Sequence, residues 1–216
     1  MEPDLKERRI KFISFNPDLD AKSDFHCLGP QYFPFKKEFL EAKKKPNFQN
    51  KSLFVFFGGG DNTSLIKRYS NYFEFVYKKG FEINIVVTRL YSDIKKVAQS
   101  MPFVDFIEEP ASIADVISQN SFCFISGGTI IHECIFLGKF PQVISTASNQ
   151  ISQSNAYDNR GMAHYIGRSS EISAQELVDD FERNFSRYVN TTEKQQADEF
   201  SMKNKLLANE IYNGFK

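Results

Sequence analysis

Leu53-Phe-Val-Phe-Phe57 running into Gly58-Gly-Gly-Asp61, and Phe122-Cys-Phe-Ile-Ser126 running into Gly127-Gly-Thr129, decide the fold class. Each is a short apolar run of strand type that ends in a glycine turn and opens a helix. A glycine turn lets backbone N–H groups approach a phosphate, and the start of a helix adds partial positive charge. One such turn is a common way to reverse a chain. Two carry more because of where they should lie. With the usual right-handed winding between them, the turns fall on the first and fourth strands. In the order 3-2-1-4-5-6 these strands are neighbours at the topological switch point, where ligands bind. The pair of turns therefore points to a nucleotide ligand that bears a diphosphate.

Outward from these turns the alternation is regular. Strand 52–57 leads to a helix over about 62–79, with Leu65, Ile66, Tyr69, Phe73, Val76 and Tyr77 on one face and Gly80 as its stop. Strand 82–88 precedes a helix near 91–100, and strand 103–107 precedes a helix over 111–119. Strand 121–126 feeds the second turn and helix 128–137. Strand 141–145, a helix near 150–160, an edge strand over 163–166 and a helix over 173–189 follow. This spacing predicts an α/β fold: a Rossmann-like, doubly wound parallel sheet of about six strands. Residues 1–50 read as a leader or linker with one strand near 10–15 and a short helix from Phe35 to Lys45. Residues 51–190 read as the nucleotide-binding domain. Residues 191–216 read as a C-terminal helix with Phe200, Leu207, Ile211 and Phe215 at roughly helical spacing, suited to docking on another domain or partner.

The 27 basic and 27 acidic residues cancel, so a basic nucleic-acid face is not indicated. Three cysteines, widely spaced and without a C-x-x-C pattern, argue against a disulfide framework or structural zinc; Cys123 and Cys134 read as buried thiols. No signal peptide or membrane-spanning run is evident, so the expectation is a cytoplasmic protein, peripheral to a membrane at most through a partner.

Glu133 is the sharpest single residue. It lies in the otherwise apolar stretch Thr129-Ile-Ile-His-Glu-Cys-Ile-Phe-Leu137. Helical side chains lean toward the N-terminus, so a carboxylate one turn inside would reach over the glycine turn and accept hydrogen bonds from ribose hydroxyls. The plainer reading is an exposed carboxylate favoured by the helix dipole. His132 is a candidate for phosphate contact or acid–base work, against a plainer reading as a partly exposed helix histidine. Asp61 or Asn62 reads as the cap of the following helix, with sugar-hydroxyl binding by Asp61 as the alternative. Asn149 and Gln150, followed by Gln153 and Asn155, sit where the fifth strand hands over to a helix. They suit either phosphate and sugar contacts or capping. Val104-Asp-Phe-Ile107 ends the third strand at the same sheet edge and offers main-chain groups to a base.

Taken in order, Gly58-Gly-Gly-Asp61, Val104-Asp-Phe-Ile107, Ile125-Ser-Gly-Gly-Thr-Ile-Ile-His-Glu133, Gly138 and Asn149-Gln150 resemble the C-terminal, UDP-binding domain of GT-B enzymes of the MurG type. The likeness is closest to the UDP-sugar hydrolase family of pseudaminic acid biosynthesis. That family's inter-domain stretch also looks like Leu28-Gly-Pro-Gln-Tyr32 with Phe39. The resemblance covers about residues 28–167. It implies that Glu133 holds the ribose and that Gly59, Gly60, Gly127, Gly128 and Thr129 cradle the diphosphate. It also implies that Phe106 and Ile107 line the uracil site, with Gln150 near the phosphates or sugar. UDP or a UDP-sugar is then the ligand, with no other cofactor and no metal.

In the family, the N-terminal domain supplies the acceptor site and the catalytic base. Upstream of Leu28 this sequence has too few residues for such a domain. The expected function is the donor-binding half of a glycosyltransferase or UDP-sugar hydrolase, inactive alone, whose acceptor half is a missing domain or a partner subunit. The alternative is a nucleotide-sugar-binding domain without turnover. A dinucleotide-dependent oxidoreductase fits worse, since no G-x-G-x-x-G follows a strand and no acidic residue ends the second strand at Thr88-Arg89.

Overall fold

A computed structural model describes residues 12–17, 26–42 and 51–189. Its centre is a six-stranded, wholly parallel sheet. The strands in chain order are β3 (Ser52–Phe56), β4 (Glu82–Val87), β5 (Val104–Glu108), β6 (Phe122–Ser126), β7 (Gln142–Ser145) and β8 (His164–Arg168). They lie side by side as β5-β4-β3-β6-β7-β8. Numbered from β3, this is the order 3-2-1-4-5-6, and the two glycine turns leave its central neighbours. The registers Leu53 to Phe122 and Phe56 to Ile125 bring the two strand ends level.

The residue types explain the order. β6 is buried at every position and β3 at four of five, the mark of central strands covered on both faces. β5 and β8 are only part-buried and form the edges. One face carries α2 (Thr63–Arg68), α3 (Ser70–Lys78), α4 (Ile94–Ser100) and α8 (Ala174–Val189) over a core rich in Phe57, Tyr69, Tyr72, Phe73, Phe122 and Phe124. The other carries α5 (Ile113–Gln119), α6 (Ile130–Phe136) and α7 (Ile151–Asn159) over Phe54, Ile125, Ile131, Cys134 and Tyr157. Cys123 and Cys134 are buried free thiols, and burial raises the Cys134 thiol well above its usual value.

The stretch expected as one helix over 62–79 is two. Tyr69, at φ −98 and ψ 12, separates α2 from α3. It is fully buried, and its hydroxyl donates to the carbonyls of Ser169 (3.2 Å) and Ile172 (3.3 Å). Beside it, Arg68 donates from Nη1 to the Ser169 carbonyl at 2.8 Å and from Nη2 to the Ser170 carbonyl at 3.2 Å. The break thus pins the β8–α8 loop. Gly80, at φ 88, ends α3 in the left-handed conformation that glycine adopts without strain.

The N-terminal residues form a short parallel pair, β1 (Phe12–Ser14) and β2 (His26–Leu28), then α1 (Lys37–Ala42). The Phe33 ring stacks on His132 at 4.5 Å, and Phe35 stacks on Phe136 at 4.0 Å. Phe39 is fully buried in the same core as α6. This segment therefore covers the outer face of α6. The expected C-terminal helix over 191–216 lies outside the described residues.

Candidate nucleotide-binding site

Both glycine turns stand at the C-terminal edge of the sheet, and both are held from beneath by their carbonyls. In the first, Tyr91 Oη donates to the Gly58 carbonyl and Thr88 Oγ1 to that of Gly59, each at 3.0 Å. Asn62 Nδ2 donates to the carbonyls of Phe57 (3.2 Å) and Gly60 (3.0 Å). Gly58 needs its glycine, since its φ is 106. In the second turn, Gln153 Nε2 donates to the carbonyls of Gly127 (3.3 Å) and Gly128 (3.2 Å). Gly127 N–H is tied to the Ile144 carbonyl at 2.9 Å. With the carbonyls held, the N–H groups of Gly59, Gly60, Gly128 and Thr129 have no hydrogen-bond partner among the described residues. Unpaired loop amides at a helix start are the geometry that receives a phosphate.

Ser126 sits between the turns. A Cβ built on Gly58 or on Gly128 would stand 3.9 Å from its Oγ. The residue is 2% exposed, and its hydroxyl bonds to none of the described residues. A buried hydroxyl without a partner is costly in isolation and suits an acceptor that arrives with the ligand. Gln150 closes the second turn from above. Its Oε1 accepts from Thr146 N at 2.8 Å and Thr146 Oγ1 at 3.2 Å, while its Nε2 lies 3.7 Å from a Cβ placed on Gly128. Asn149 is exposed in the same short turn, Ser148–Gln150.

Glu133 lies one turn into α6, half-buried, and its carboxyl bonds to none of the described residues. Burial raises its pKa to about 7, with Lys36 pulling it down and Glu38 pushing it up. A carboxyl held this way gains from hydroxyl donors. Lys36 and Glu38 also line a cleft of about 260 Å³ at the ends of β4 and β5, with Phe56, Thr88 and Glu109. Glu109 has a left-handed backbone (φ 42) before Pro110, a sparsely populated conformation of the kind that clusters at ligand sites.

Two expectations change at the level of side chains, at the base site and at His132, while Asp61 keeps its expected capping place. Phe106 packs into the core of the α2–α3 face and Ile107 into that of the α6 face, because neighbours on a strand point oppositely. Only their main chain is common to one base site, on a strand that pairs with β4 alone. His132 is 1% exposed where a partly exposed histidine was expected. It bonds to Tyr157 Oη and Gln153 Oε1, and burial lowers its pKa to about 4. It braces Gln153 under the second turn instead of facing the cleft. Asp61 caps α2, accepting from Thr63 N at 3.0 Å and Thr63 Oγ1 at 2.6 Å. Hydrogen bonds from Ser92 and Thr63 hold its carboxyl well below the usual range.

No protein-family model matches this chain, and no curated protein does. Solved structures do. The chain is similar to MurG of Acinetobacter baumannii, with a TM-score of 0.64 and 11% identity over 93% of this chain and 59% of that one. It is similar to the glycosyltransferase of kitacinnamycin, with a TM-score of 0.64 and 13% identity over 95% and 54%. It is also similar to the spinosyn rhamnosyltransferase SpnG in complex with thymidine diphosphate, at 0.62 and 10% over 91% and 55%. The fold is that of a GT-B half-domain. This chain spans between 54% and 59% of the length of these three proteins.

Within this fold, Gly127 is where a substitution tests the site most locally. An alanine Cβ would fall 2.1 Å from Ser154 Oγ, 3.2 Å from Gln150 Cβ and 3.3 Å from the Gln150 carbonyl oxygen. The Ser154 hydroxyl can rotate away, losing its 2.8 Å bond to the Gln150 carbonyl, but the Gln150 backbone must move. Gly127→Ala is expected to cost about 1–3 kcal/mol of stability. Urea denaturation checks this, and an unchanged midpoint would contradict the tight packing of α7 on the turn.

Proposed function

We propose that this chain binds a UDP-sugar as the donor-binding half of a glycosyltransferase or a UDP-sugar hydrolase. One observation carries the reading: two glycine turns on neighbouring strands, with carbonyls held back and the amides of Gly59, Gly60, Gly128 and Thr129 unpaired among the described residues, flank the Ser126 hydroxyl, which bonds to none of those residues. The diphosphate would take the amides of Gly59, Gly60, Gly128 and Thr129 and the Ser126 hydroxyl. Ribose hydroxyls would donate to Glu133, and uracil would pair with the main chain near Ile107. The contribution to chemistry would be stabilisation of the leaving diphosphate by oriented dipoles. No group of acidic, histidine or cysteine residues among the described ones is placed to hold a metal ion. The narrower assignment to a hydrolase of the pseudaminic acid type rests on the sequence likeness of the Gly58–Asp61 loop, the Ser126–Glu133 turn and helix, and Asn149-Gln150, with residues 28–32 in addition.

Binding without turnover is the second reading, and His132 favours it. The imidazole on the helix after the second turn is buried and engaged, so it is not a base for the cleft. On the enzymatic reading, acceptor and base would come from another domain or a partner subunit. None of the described helices is long and apolar enough to cross a membrane.

Titration calorimetry with UDP, GDP and NAD separates these proposals from a bare fold. Saturable heat with UDP and little with the other two is expected. Equal binding of all three, or of none, would contradict nucleotide selectivity. Release of UDP from a UDP-sugar by the chain alone would remove the non-catalytic reading.

A further inference from the structure

A second cleft, of about 360 Å³, opens beside the two turns on the α2 side of the sheet. Its lining includes a residue linked to each turn. Asn62, on one side, is the residue that holds the first turn. Thr146, opposite, holds the Gln150 amide that sits over the second. A group attached to a diphosphate bound across the turns would therefore lie at the mouth of this cleft. Hydroxyls line it, from Ser64, Thr146, Ser169 and Ser170.

Arg68 is the only charged residue among those lining the cleft. It is fixed by two bonds to the carbonyls of Ser169 and Ser170. A guanidinium has five N–H donors, so three of Arg68's remain without a partner among the described residues. A pre-positioned guanidinium with donors to spare matches a planar carboxylate better than a neutral hydroxymethyl group.

We propose that this cleft is the glycosyl subsite and that Arg68 makes it select a sugar carrying a carboxylate. The inference rests on the UDP-sugar reading above. Sugar hydroxyls would exchange hydrogen bonds with the serine and threonine side chains. The carboxylate would meet the guanidinium in a cleft whose lining residues include no acid.

The test is calorimetric affinity of the whole chain for UDP, UDP-glucose and UDP-glucuronate. UDP-glucuronate is expected to bind about ten-fold or more tightly than UDP-glucose. Arg68→Gln should bring the two affinities together. Because that change also loosens the 169–172 loop, Ser64→Asp serves as a second variant. It places a like charge on the wall and should reverse the preference. If UDP binds but the two sugars are equal, or their difference survives both variants, the inference fails and the nucleotide reading stands. If none of the three binds, both fail.

Discussion

Asp180→Ala is expected to destabilise the fold by about 3–5 kcal/mol, the usual effect of removing one partner of a buried charged network. Asp180 is 4% exposed on α8. Its carboxylate accepts from His164 Nε2 (2.9 Å), Gln142 Nε2 (2.8 Å), Asn184 Nδ2 (2.8 Å) and Tyr188 Oη. Gln142 in turn accepts from Tyr72 at 2.8 Å, so one carboxylate joins β7, β8, α3 and α8. Alanine would leave those donors buried and unpaired. The pair also sets a pH window. Burial pushes Asp180 up, but the bonds from His164, Tyr188 and Gln142 outweigh it and hold its pKa low. The bond to Asp180 outweighs burial at His164 and raises its pKa above 6.5. The Asp180 contribution is present above its ordinary value of 3.8 and is lost as pH falls through the lower folded value. The His164 contribution is complete below 6.5 and is lost as pH rises through the higher folded value. Stability from this pair should peak between about pH 4 and pH 6.5, and His164→Gln should remove the decline on the alkaline side. Urea midpoints across pH read all three expectations. A small loss for Asp180→Ala would mean that the network does not hold α8.

Glu133→Ala is expected to weaken UDP binding by about 10–100-fold, the loss of hydrogen bonds to a charged acceptor. Its raised pKa adds a second readout. With a folded value of about 7 and an ordinary value of 4.5, the native state holds more protons than the unfolded state between them. Stability therefore falls as pH rises through that window. The full shift corresponds to ~3 kcal/mol. Solvent screening of this partly exposed side chain reduces it to on the order of 1 kcal/mol. Glu133→Gln should accordingly stabilise the unliganded protein at pH 8 and leave it unchanged near pH 4. UDP affinity, in contrast, should increase several-fold from pH 6 to pH 8 as the acceptor ionises. A variant that keeps full UDP affinity would remove Glu133 from the ribose site.

The strand order was legible because it depends on punctuation and polarity, which a sequence displays openly. Uninterrupted apolar runs at 53–57 and 122–126 marked central strands, and glycines marked the turns after them. The parts that were not legible depend on distant partners. Tyr69 keeps the apolar spacing of α2 and α3 in phase, so nothing local betrays the break that its bonds to Ser169 and Ile172 stabilise. His132 reads as part-exposed until Phe33, a hundred residues earlier, is seen stacked upon it. Ser126 ends an apolar strand and reads as its terminus. Its place between the turns follows only from the pairing of β3 with β6. Phe106 and Ile107 could have been separated from the sequence alone, since strand neighbours face opposite ways.

Amide hydrogen exchange of the chain, free and saturated with UDP, tests the central claim most directly. Loop amides without partners should exchange fast in the free protein and slow down only where phosphate oxygens cover them. Slowing concentrated at Gly59, Gly60, Gly128 and Thr129, with a smaller effect around Glu133, is the result expected. UDP that binds while both turns continue to exchange at their free rates would contradict it.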